Sequence, residues 1–589
     1  MTSSRMMKVT VGLASVAMLV SACGGGSDKK TTNGKGVESA FNASLTGVVN
    51  PSDKKGGQLE LVAGRDFDSL DPGRTYYGFV WTFRRIWDRQ MFQYKPAPGK
   101  ESLKLAPDLA ADDGKVSADG LTYTYKLRSG VKFSNGEPVT SQSVKYGIER
   151  IFAQDVITGG PTYLIDLLDH DKTYKGPYKD KSADHLGLKT IETPDAQTIV
   201  FHIYKPFSDF NYLLALPTSS PVPIAVDQAP ATGGVNYGKN PISSGPYKVD
   251  SYVKGSSLKM SRNTFWDAKT DPLHKALPDT INVRIIKNKK TLDELILAGK
   301  ADINISTALQ PEARATVLRA KTGKGKYADN PLNPYTADWL NITPKVEPFS
   351  NIHCRKAVAY ALDKKSIQSI LGGPEVGGEI ANTVTPPDST AYEADYDEYP
   401  SGADKTGDQA KAKEELKLCG KPSGFATKLG EPTAGFGPQI GLSIKNSLSR
   451  VGINVTIVPL GETDQTTVPE LVHKQKIGLI DFGWGADFPT DYGYYEFVAD
   501  SRTILAAGNY NRAEFGTAET DALIDKALTK TGAEQAAIWK EFSHKVMESS
   551  TMIPYLYPKS VRAHSPRLTN VYCLDAIFNL YDPMNVGVL

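Results

Sequence analysis

The sequence predicts an α/β protein with two or more lobes, and three observations support this. Its 589 residues exceed the ~250–300 at which a single hydrophobic core stops growing. Segments with strand-like alternation are interspersed with segments of helical periodicity. Hydrophobic residues make up 40% of the chain and charged residues 23%, which is the composition of a soluble globular protein rather than a disordered one.

The N-terminal residues predict export and membrane attachment. Arg5 and Lys8 flank an apolar run, Val9–Val20, that is well short of the ~20 residues a membrane-spanning helix needs and is typical of a signal peptide. It leads into Val20-Ser21-Ala22-Cys23, which resembles the bacterial lipobox. We therefore predict a lipoprotein signal peptide at residues 1–22 and a lipid anchor, with palmitate-type acyl chains, on Cys23 at the extracytoplasmic face of the cell membrane. Two or more such chains give stable anchoring.

Residues 23–55 are predicted to link this anchor to the folded domain. The Gly- and Ser-containing part, residues 24–36, is typical of a flexible tether. A short amphipathic helix that packs on the body is then predicted from apolar residues at helical spacing, namely Val37, Phe41, Leu45 and Val48.

Strands and helices are predicted in turn along the rest of the chain. The strands that alternation and composition favour are Lys54–Ala63, Leu121–Leu127, Thr198–Tyr204, Ile281–Ile286 and Ile453–Pro459. Thr140 is predicted to cap a helix whose apolar face includes Val144 and Ile148. The other predicted helices are Arg355–Leu362, Gln409–Leu418, Gln439–Leu448, Thr520–Leu528 and Gln535–Glu548.

Charge and cysteine content limit the classes of partner. Removing residues 1–22 lowers Lys+Arg from 68 to 66, equal to Asp+Glu, and no long basic block exists, so we expect no nucleic-acid partner. Three cysteines then remain, without the spacing of a metal site. An exported protein permits a disulfide, and Cys354 and Cys419 are our candidate pair because both lie in helical patterns of one region.

Motifs for catalysis are missing from the sequence. HExxH, GxSxG and GxxxxGK[ST] do not occur. Ser129–Lys132 matches SxxK, but it follows a strand instead of starting a helix and lacks the companion motifs. The histidines are scattered without metal-ligand spacing. We therefore expect no enzymatic activity, no cofactor and no metal.

One short segment, Gly478–Gly493 (GLIDFGWGADFPTDYG), concentrates acidic and aromatic residues. Its Asp487 could in principle act as a general acid, a metal ligand or a clamp for a cationic ligand. Pro489 disfavours helix at the preceding residues, so Asp487 and Asp491 do not share a helix face. With no catalytic partner and no metal spacing, two interpretations remain open: Asp487 binds a ligand's ammonium group, or it caps a turn by accepting its own backbone N–H groups.

Motifs along most of the chain resemble the family 5 solute-binding proteins of ABC importers, which bind peptides, nickel and other solutes. The resemblance covers roughly residues 56–580, and the block at Ala118–Ile151 is specific because turn, strand, turn and helix match in register. The matching segments include GGQLELVAGRDFDSLDPG, LAPDLA, ADGLTYTYKLRSGVKFSNGEPVTSQSVKYGIERI, SSGPYKV, MSRNTFW, LDELILAGKADI, CRKAVAYALDKKSI, SRVGINVTIVPL, GWGADFP and YLYPKS.

The resemblance implies the two-lobed periplasmic-binding-protein-like fold, the Venus flytrap, with an extra subdomain in the first lobe. The first lobe would be residues 56–306, with the extra subdomain at 96–239. The second lobe would be residues 307–555, and residues 556–589 would return to the first lobe.

The resemblance also implies a ligand cleft and some of its residues. Asp487 matches the aspartate that pairs with the α-ammonium group of a bound peptide in peptide-binding members. Aromatic residues at three places in the chain are predicted to line the same cleft: Trp484 and Phe488 beside Asp487, Tyr76 and Tyr77 after the first strand, and Trp339 in a strand of the second lobe.

The function implied is capture of peptides outside the membrane by a monomer that closes at a hinge and delivers them to an ABC permease. Nickel chelates and oligosaccharides are alternative ligands. A lipid-anchored extracytoplasmic hydrolase and a signalling receptor that does not transport are alternatives of other classes.

Overall fold

The computed structural model describes residues 36–461 and 467–589. The predicted signal peptide, Cys23 and most of the predicted tether lie outside these residues. Within the described ranges, no helix is both long and apolar enough to cross a lipid bilayer.

The helices alternate with strands through the described residues. In chain order they are α1 (Gly78–Arg84), α2 (Ser141–Glu149), α3 (Tyr163–Leu168), α4 (Phe210–Leu213), α5 (Ile224–Gln228), α6 (Lys289–Leu297), α7 (Pro311–Arg319), α8 (Ile352–Ala361), α9 (Lys364–Ile370), α10 (Gly373–Val376), α11 (Gln409–Leu418), α12 (Gly437–Ser449), α13 (Pro469–Gln475), α14 (Asp491–Ala499), α15 (Ala518–Leu528) and α16 (Gly532–Glu548).

The strands build several sheets of different size. In chain order they are β1 (Gly36–Val37), β2 (Val48–Val49), β3 (Gln58–Ala63), β4 (Phe92–Tyr94), β5 (Leu105–Pro107), β6 (Lys115–Val116), β7 (Thr122–Lys126), β8 (Ile191–Asp195), β9 (Thr198–His202), β10 (Tyr247–Val253), β11 (Ser257–Arg262), β12 (Thr280–Ile285), β13 (Ile303–Asn304), β14 (Ala328–Asp329), β15 (Thr336–Ile342), β16 (Gly378–Ile380), β17 (Ala426–Pro432), β18 (Asn454–Leu460), β19 (Ile477–Gly485), β20 (Met552–Pro558), β21 (Arg562–Ala563), β22 (Leu568–Thr569), β23 (Cys573–Leu574), β24 (Leu580–Tyr581) and β25 (Gly587–Val588).

The described residues contain two large mixed sheets, and residues next to both of them line the cavity described below. The first has the strand order β10-β11-β12-β3-β13, with parallel pairing of β3 to both β12 and β13. The second has the order β16-β20-β15-β19-β17-β18, in which β17 pairs in parallel with β18 and β19. A separate antiparallel sheet, β6-β7-β9-β8, lies between them in sequence. Mixed sheets with helices between the strands confirm the predicted α/β class.

The C-terminal residues return to the first large sheet after β20. His564 forms a bridge to Ile303, and the side chain of Arg567 donates to Asp302 and to the carbonyl of Gln58. The chain therefore crosses between the two large sheets at β13–β15 and again at β20–β21. The lobe and subdomain boundaries given above stay a prediction.

The strands and helices predicted from residue 54 onward are confirmed within a few residues at each end. The Thr140 cap forms as expected: the Ser143 backbone N–H donates to Thr140 Oγ1 at 3.4 Å, and the Thr140 N–H donates to Ser143 Oγ at 2.9 Å. This reciprocal pair satisfies two N–H groups that the first helical turn leaves without partners. The apolar face of α2 is buried, so the capped helix packs against the hydrophobic core.

The helix predicted from Val37 to Val48 is wrong. That segment pairs β1 with β2 in parallel and holds a single 3-10 turn, Ala43–Leu45, between them. Asn42 adopts a left-handed conformation with φ 66°, which interrupts a right-handed helix at its centre. The apolar residues do pack on the body, as predicted, but from a loop held by tertiary contacts such as the bridge between Val49 and Val571.

A disulfide joins Cys354 in α8 to Cys419, the residue that follows α11, with a Cα–Cα distance of 5.1 Å. It ties together two helices that pack on each other beside the second large sheet. Cys573 is a buried free thiol.

Candidate functional site

A cavity of about 380 Å³ lies between the two large sheets. Its size falls within the range of small-molecule binding sites. Its walls come from both sides of the molecule: the residues after β3, the start of α1, the end of β19 and the C-terminal return. The lining residues are Arg65, Tyr76, Tyr77, Gly78, Phe79, Trp81, Ser306, Trp484, Gly485, Asp487, Arg562, Phe578 and Leu580.

Asp487 reaches this cavity because of how β19 ends. The strand stops at Gly485, and Pro489 keeps the next residues out of a helix. The helix α14 begins only after Thr490, whose hydroxyl accepts the Gly493 N–H at 3.1 Å. Thr490 therefore caps the helix, and the side chain of Asp487 accepts no backbone N–H among the described residues. The turn-capping interpretation of Asp487 does not fit this geometry.

The carboxylate of Asp487 is held by two tyrosine hydroxyls. Tyr76 Oη donates to Asp487 Oδ2 at 2.6 Å, and Tyr163 Oη donates to the same oxygen at 2.7 Å. Within residues 36–461 and 467–589, no Lys, Arg or His pairs with this carboxylate, and Oδ1 accepts no hydrogen bond. One oxygen is thus fixed in place while the other stays available.

Burial sets the protonation of these groups. It raises the pKa of the Asp487 carboxyl to about 6, against the opposing effect of the Tyr163 and Tyr76 hydrogen bonds. Burial, and then the Asp487 charge, raise the pKa of both tyrosines well above the ordinary value. The tyrosines are therefore donors at neutral pH, and Asp487 is an anion without a counter-charge, a state that favours binding of a cationic group.

Nearby Glu496 interacts electrostatically with Asp487. Burial raises the pKa of its carboxyl well above the ordinary range, and its Oε2 lacks a hydrogen-bond partner within the described ranges. Asp487, unlike Glu496, lines the cavity.

Three of the predicted aromatic residues lie at the cavity with Asp487: Tyr76, Tyr77 and Trp484. Tyr77 is 39% exposed, and the guanidinium of Arg65 lies 3.5 Å from its ring centroid. Trp484 packs its ring against Tyr510 at 5.2 Å, and its Nε1 lacks an acceptor in the part of the chain that the structure describes. A buried N–H without a partner at a cavity wall offers a hydrogen bond to a ligand.

Two predicted residues, Trp339 and Phe488, do not line the cavity. Trp339 is 1% exposed and donates its Nε1–H to Asn341 at 2.9 Å. It belongs to β15, whose two edges pair with β20 and β19 inside the second large sheet, and its ring packs edge-on against Phe482 and Tyr494. Phe488 is fully buried and packs edge-on against Tyr163 with ring centroids 5.4 Å apart. It supports the ring that hydrogen-bonds Asp487 instead of contacting the cavity.

Sequence reasoning missed Tyr163, Arg562 and Phe578. Tyr163 starts α3, 324 positions before Asp487, and its neighbours carry no motif. Phe578 and Asn579 both have left-handed conformations, φ 49° and 51°, which non-glycine residues seldom adopt. The ring of Phe578 lies against Gly78 and Gly485, where an added Cβ at either glycine would come closer than van der Waals contact. Gly78 and Gly485, which lie on opposite walls, are the sequence feature that could have indicated a bulky ring packed against them.

One group of potential metal ligands occurs within the described ranges, namely the buried Asp108, Asp271 and His274. Arg89 Nε lies 2.7 Å from Asp108 and 3.5 Å from Asp271. The His274 Nε2 is 2.6 Å from the Arg85 carbonyl. The guanidinium occupies the place between the carboxylates, so this is a buried ion-pair network.

Comparisons with known proteins agree with the fold. The family model described as "Bacterial extracellular solute-binding proteins, family 5 Middle" matches residues 104–504. A solved structure, "Clavulanic acid biosynthesis oligopeptide binding protein 2", is 39% identical with a TM-score of 0.89 and covers 95% of this chain and 99% of its own. The Glutathione-binding protein GsiB of Escherichia coli O1:K1 / APEC is 25% identical over 533 residues, 89% of this chain and 94% of its own.

A more distant solved structure shares the fold. It is the periplasmic binding protein DppA from Helicobacter pylori in complex with peptide STSA, with 20% identity, a TM-score of 0.70, and coverage of 91% of this chain and 99% of its own.

Proposed function

Because the chain belongs to family 5 of the bacterial extracellular solute-binding proteins, we propose that it captures small peptides outside the membrane and delivers them to an ABC permease. It has the two-lobed α/β fold of periplasmic binding proteins. Members of this family bind solutes and are not enzymes, so the hydrolase alternative is set aside. A relative that is 39% identical over 95% of the chain is named an oligopeptide-binding protein, and this supports a peptide ligand.

Asp487 is the observation that carries the proposal. Its Oδ2 accepts two hydroxyls while Oδ1 has no donor among the described residues, so an ammonium group has a prepared place to bind. A carboxylate without a counter-charge gains most from a ligand that supplies the missing charge and hydrogen bonds together. A free peptide N-terminus meets both requirements.

Closure of the two lobes is the proposed mechanism of capture. Tyr76 belongs to the side of the cavity that follows β3, Tyr163 to α3, and Asp487 to the end of β19. The two hydrogen bonds to Asp487 therefore join the lobes and are made only when they are together. A ligand drives closure to the extent that it binds the closed state more tightly than the open state.

We also propose that the protein is attached to the membrane through a lipid on Cys23. It is supported by the apolar run and by the lipobox-like Val20-Ser21-Ala22-Cys23. Metabolic labelling with a palmitate analogue would be expected to mark the wild type and to leave Cys23→Ala unlabelled. Labelling of both would contradict the assignment.

Native mass spectrometry after purification from cells tests the ligand class. We expect the wild type to carry peptides and Asp487→Asn to lose them. Recovery of a nickel chelate or an oligosaccharide would contradict the peptide proposal and identify that solute as the ligand. Tyr77→Phe is the matched control, because Tyr77 lines the same cavity but its hydroxyl does not contact Asp487.

A further inference from the structure

Phe578 lies near the tip of a short hairpin in the C-terminal return. The hairpin pairs β23 with β24 in antiparallel fashion, and residues 575–579 form its loop. Phe578 and Asn579 are consecutive residues with a left-handed backbone, φ 49° and 51°. Such conformations are unfavourable for residues that carry a Cβ, and they persist where the surrounding structure imposes them, often at ligand sites. The loop therefore holds the Phe578 ring in place at an energetic cost.

Hydrogen bonds to neighbouring segments impose this loop conformation. The side chain of Asn579 donates its Nδ2–H to the Leu332 carbonyl at 2.7 Å, in the segment that crosses between the two large sheets. Arg562, which has no carboxylate within 4.0 Å among the described residues, donates its Nη2–H to the Phe578 carbonyl at 3.4 Å. The backbone of Phe578 is thus tied on both sides, and its side chain is directed to the cavity, which it lines.

The ring of Phe578 fills the gap between two walls of the cavity. Gly78, at the start of α1, lies on one wall, and Gly485, at the end of β19, lies on the other. A Cβ added to either glycine would collide with the ring, at Cε2 for Gly78 and at Cε1 for Gly485. Opposite edges of one ring therefore approach the backbones of both walls, and the ring leaves no room for a ligand to pass between them.

Core packing alone explains these features poorly. Phe578 is only partly buried, and it lines the cavity. A core position rewards full burial, and it gives no reason for a strained backbone or for glycine on both walls. The cavity holds about 380 Å³, near the lower limit of small-molecule sites. A ring across its gap therefore decides how long an enclosed ligand can be.

We propose that Phe578 limits the length of the ligand: its ring closes the gap between the two walls, so that short peptides are enclosed and longer peptides are excluded. This assignment rests on the proposed function and names the size class of its ligand. The two walls belong to the sides of the cavity that come together on closure, so the limit acts at that step. A peptide that extends into the position of the ring must displace it or keep the walls apart, and both lower its affinity for the closed state.

The test measures binding of alanine peptides with free termini, from dialanine to hexa-alanine, by native mass spectrometry on the full-length protein. We expect the wild type to bind dialanine and trialanine at least about tenfold more tightly than hexa-alanine, because inserting extra atoms into a filled site is unfavourable. Phe578→Ala should bring the affinities for all lengths to within about twofold of one another, and Phe578→Leu should give an intermediate ratio. In small-angle scattering, hexa-alanine should close Phe578→Ala but not the wild type.

Phe425→Ala is the matched control for the loss of a ring. Phe425 is a partly buried phenylalanine that packs on Phe349 with 5.5 Å between the ring centroids, and it does not line the cavity. Its removal should lower the unfolding temperature and leave the preference for short peptides unchanged.

The outcomes separate this inference from the proposed function. Equal affinity of the wild type for all lengths, or a preference for short peptides that Phe578→Ala retains, overturns the role of Phe578 and leaves peptide capture intact. Loss of all peptides in both Phe578→Ala and Phe578→Leu, with lower unfolding temperatures, assigns the ring to the fold and also overturns the inference. Binding of no peptide by the wild type overturns both proposals.

Discussion

The hydroxyl of Tyr76 lies 2.6 Å from Oδ2 of Asp487, although 411 positions separate the two residues in the chain. Tyr163 donates to the same oxygen from a third part of the sequence. Three distant segments therefore meet at one atom of the cavity wall. In this arrangement the two hydroxyls fix the orientation of the carboxylate, which limits the conformations it can adopt around a ligand.

Replacing Tyr76 by Phe, or Tyr163 by Phe, is expected to weaken peptide binding. Each change removes one hydrogen bond to a charged group, worth ~1.5–3 kcal/mol, and one contact between the lobes. Isothermal titration measures the affinity, and small-angle scattering reports the fraction of closed protein with ligand. Tyr77→Phe should change neither. Full closure and unchanged affinity in both variants would show that these hydroxyls do not assist capture.

Asp487→Asn is expected to raise the free energy of unfolding and to weaken peptide binding. Burial raises the pKa of the Asp487 carboxyl to about 6, above its unfolded value near 4. The folded state therefore binds this proton more tightly, and the stabilisation it gives is complete below pH 4 and lost as pH rises through 6. At pH 7.5 the neutral amide avoids that loss, so urea unfolding should show ~1–2 kcal/mol more stability.

The same substitution should reduce affinity for peptides with a free amine by ~2–5 kcal/mol, because the ammonium loses its anionic partner. N-acetylated peptides should bind the wild type and the variant equally weakly. A variant that is less stable and still binds free amines would contradict the ammonium assignment.

Peptide affinity is expected to fall in mild acid. Asp487 ionises with a pKa of about 6, and only its anion pairs with an ammonium group. Tyr76 and Tyr163, which donate to it, have pKa values raised further above 10 by burial and stay protonated across this range, and burial also raises the pKa of Glu496. Affinity should therefore drop about tenfold between pH 7.5 and pH 5. A flat profile over that interval would be the contrary result, and carbon-13 shifts of the carboxyl give an independent titration.

Gly485→Ala is expected to impair binding by displacing Phe578. An added Cβ at Gly485 would overlap the Phe578 ring and lie 3.0 Å from the Thr336 hydroxyl oxygen, so the ring must move into or away from the cavity. We expect at least about tenfold weaker peptide binding with little change in secondary structure, since packing shifts of this kind cost ~1–3 kcal/mol. Gly461→Ala is the matched control, because no atom of residues 36–461 or 467–589 lies within 4 Å of its added Cβ.

The disulfide between Cys354 and Cys419 is expected to stabilise the fold without serving binding. The residues are 65 positions apart, and closing such a loop in the unfolded chain is worth ~4 kcal/mol in the chain-entropy account. Cys354→Ser with Cys419→Ser should lower the unfolding temperature and leave peptide affinity at 25 °C unchanged. Cys573→Ser should have a small effect. Protein lacking residues 1–23 should react with one thiol reagent per chain after unfolding without reductant.

The helices and strands, and the site residues Asp487 and Tyr76, could be predicted from the sequence because local patterns and motifs specify them. Strand alternation and the Thr140 cap are local signals, so β7 and α2 appear where expected. Asp487 and Tyr76 belong to motifs that resemble a family. Trp339 stands beside such motifs too, yet its ring is buried against Phe482 and Tyr494. Whether an aromatic ring faces core or cavity depends on neighbouring strands, which spacing along the chain does not encode.

Tyr163 and Arg562 could not be predicted, for a related reason. Tyr163 stands among ordinary helix residues, and its role depends on packing against Phe488. Arg562 is distinguished only by the absence of a counter-charge, a property of three-dimensional surroundings. The failed helix at Val37–Val48 shows the same limit, since contacts with residues such as Val571 override its helical spacing.

The position of the C-terminal return has a consequence for how the protein is made. β20 inserts between β16 and β15 inside the second large sheet, and Arg562, Phe578 and Leu580 complete the cavity wall. A nascent chain that lacks this last segment has neither a finished second sheet nor a ligand cavity. Since long-range strand pairing is slow to form, we expect the ligand cavity to form only after the C-terminal return has joined the folded chain.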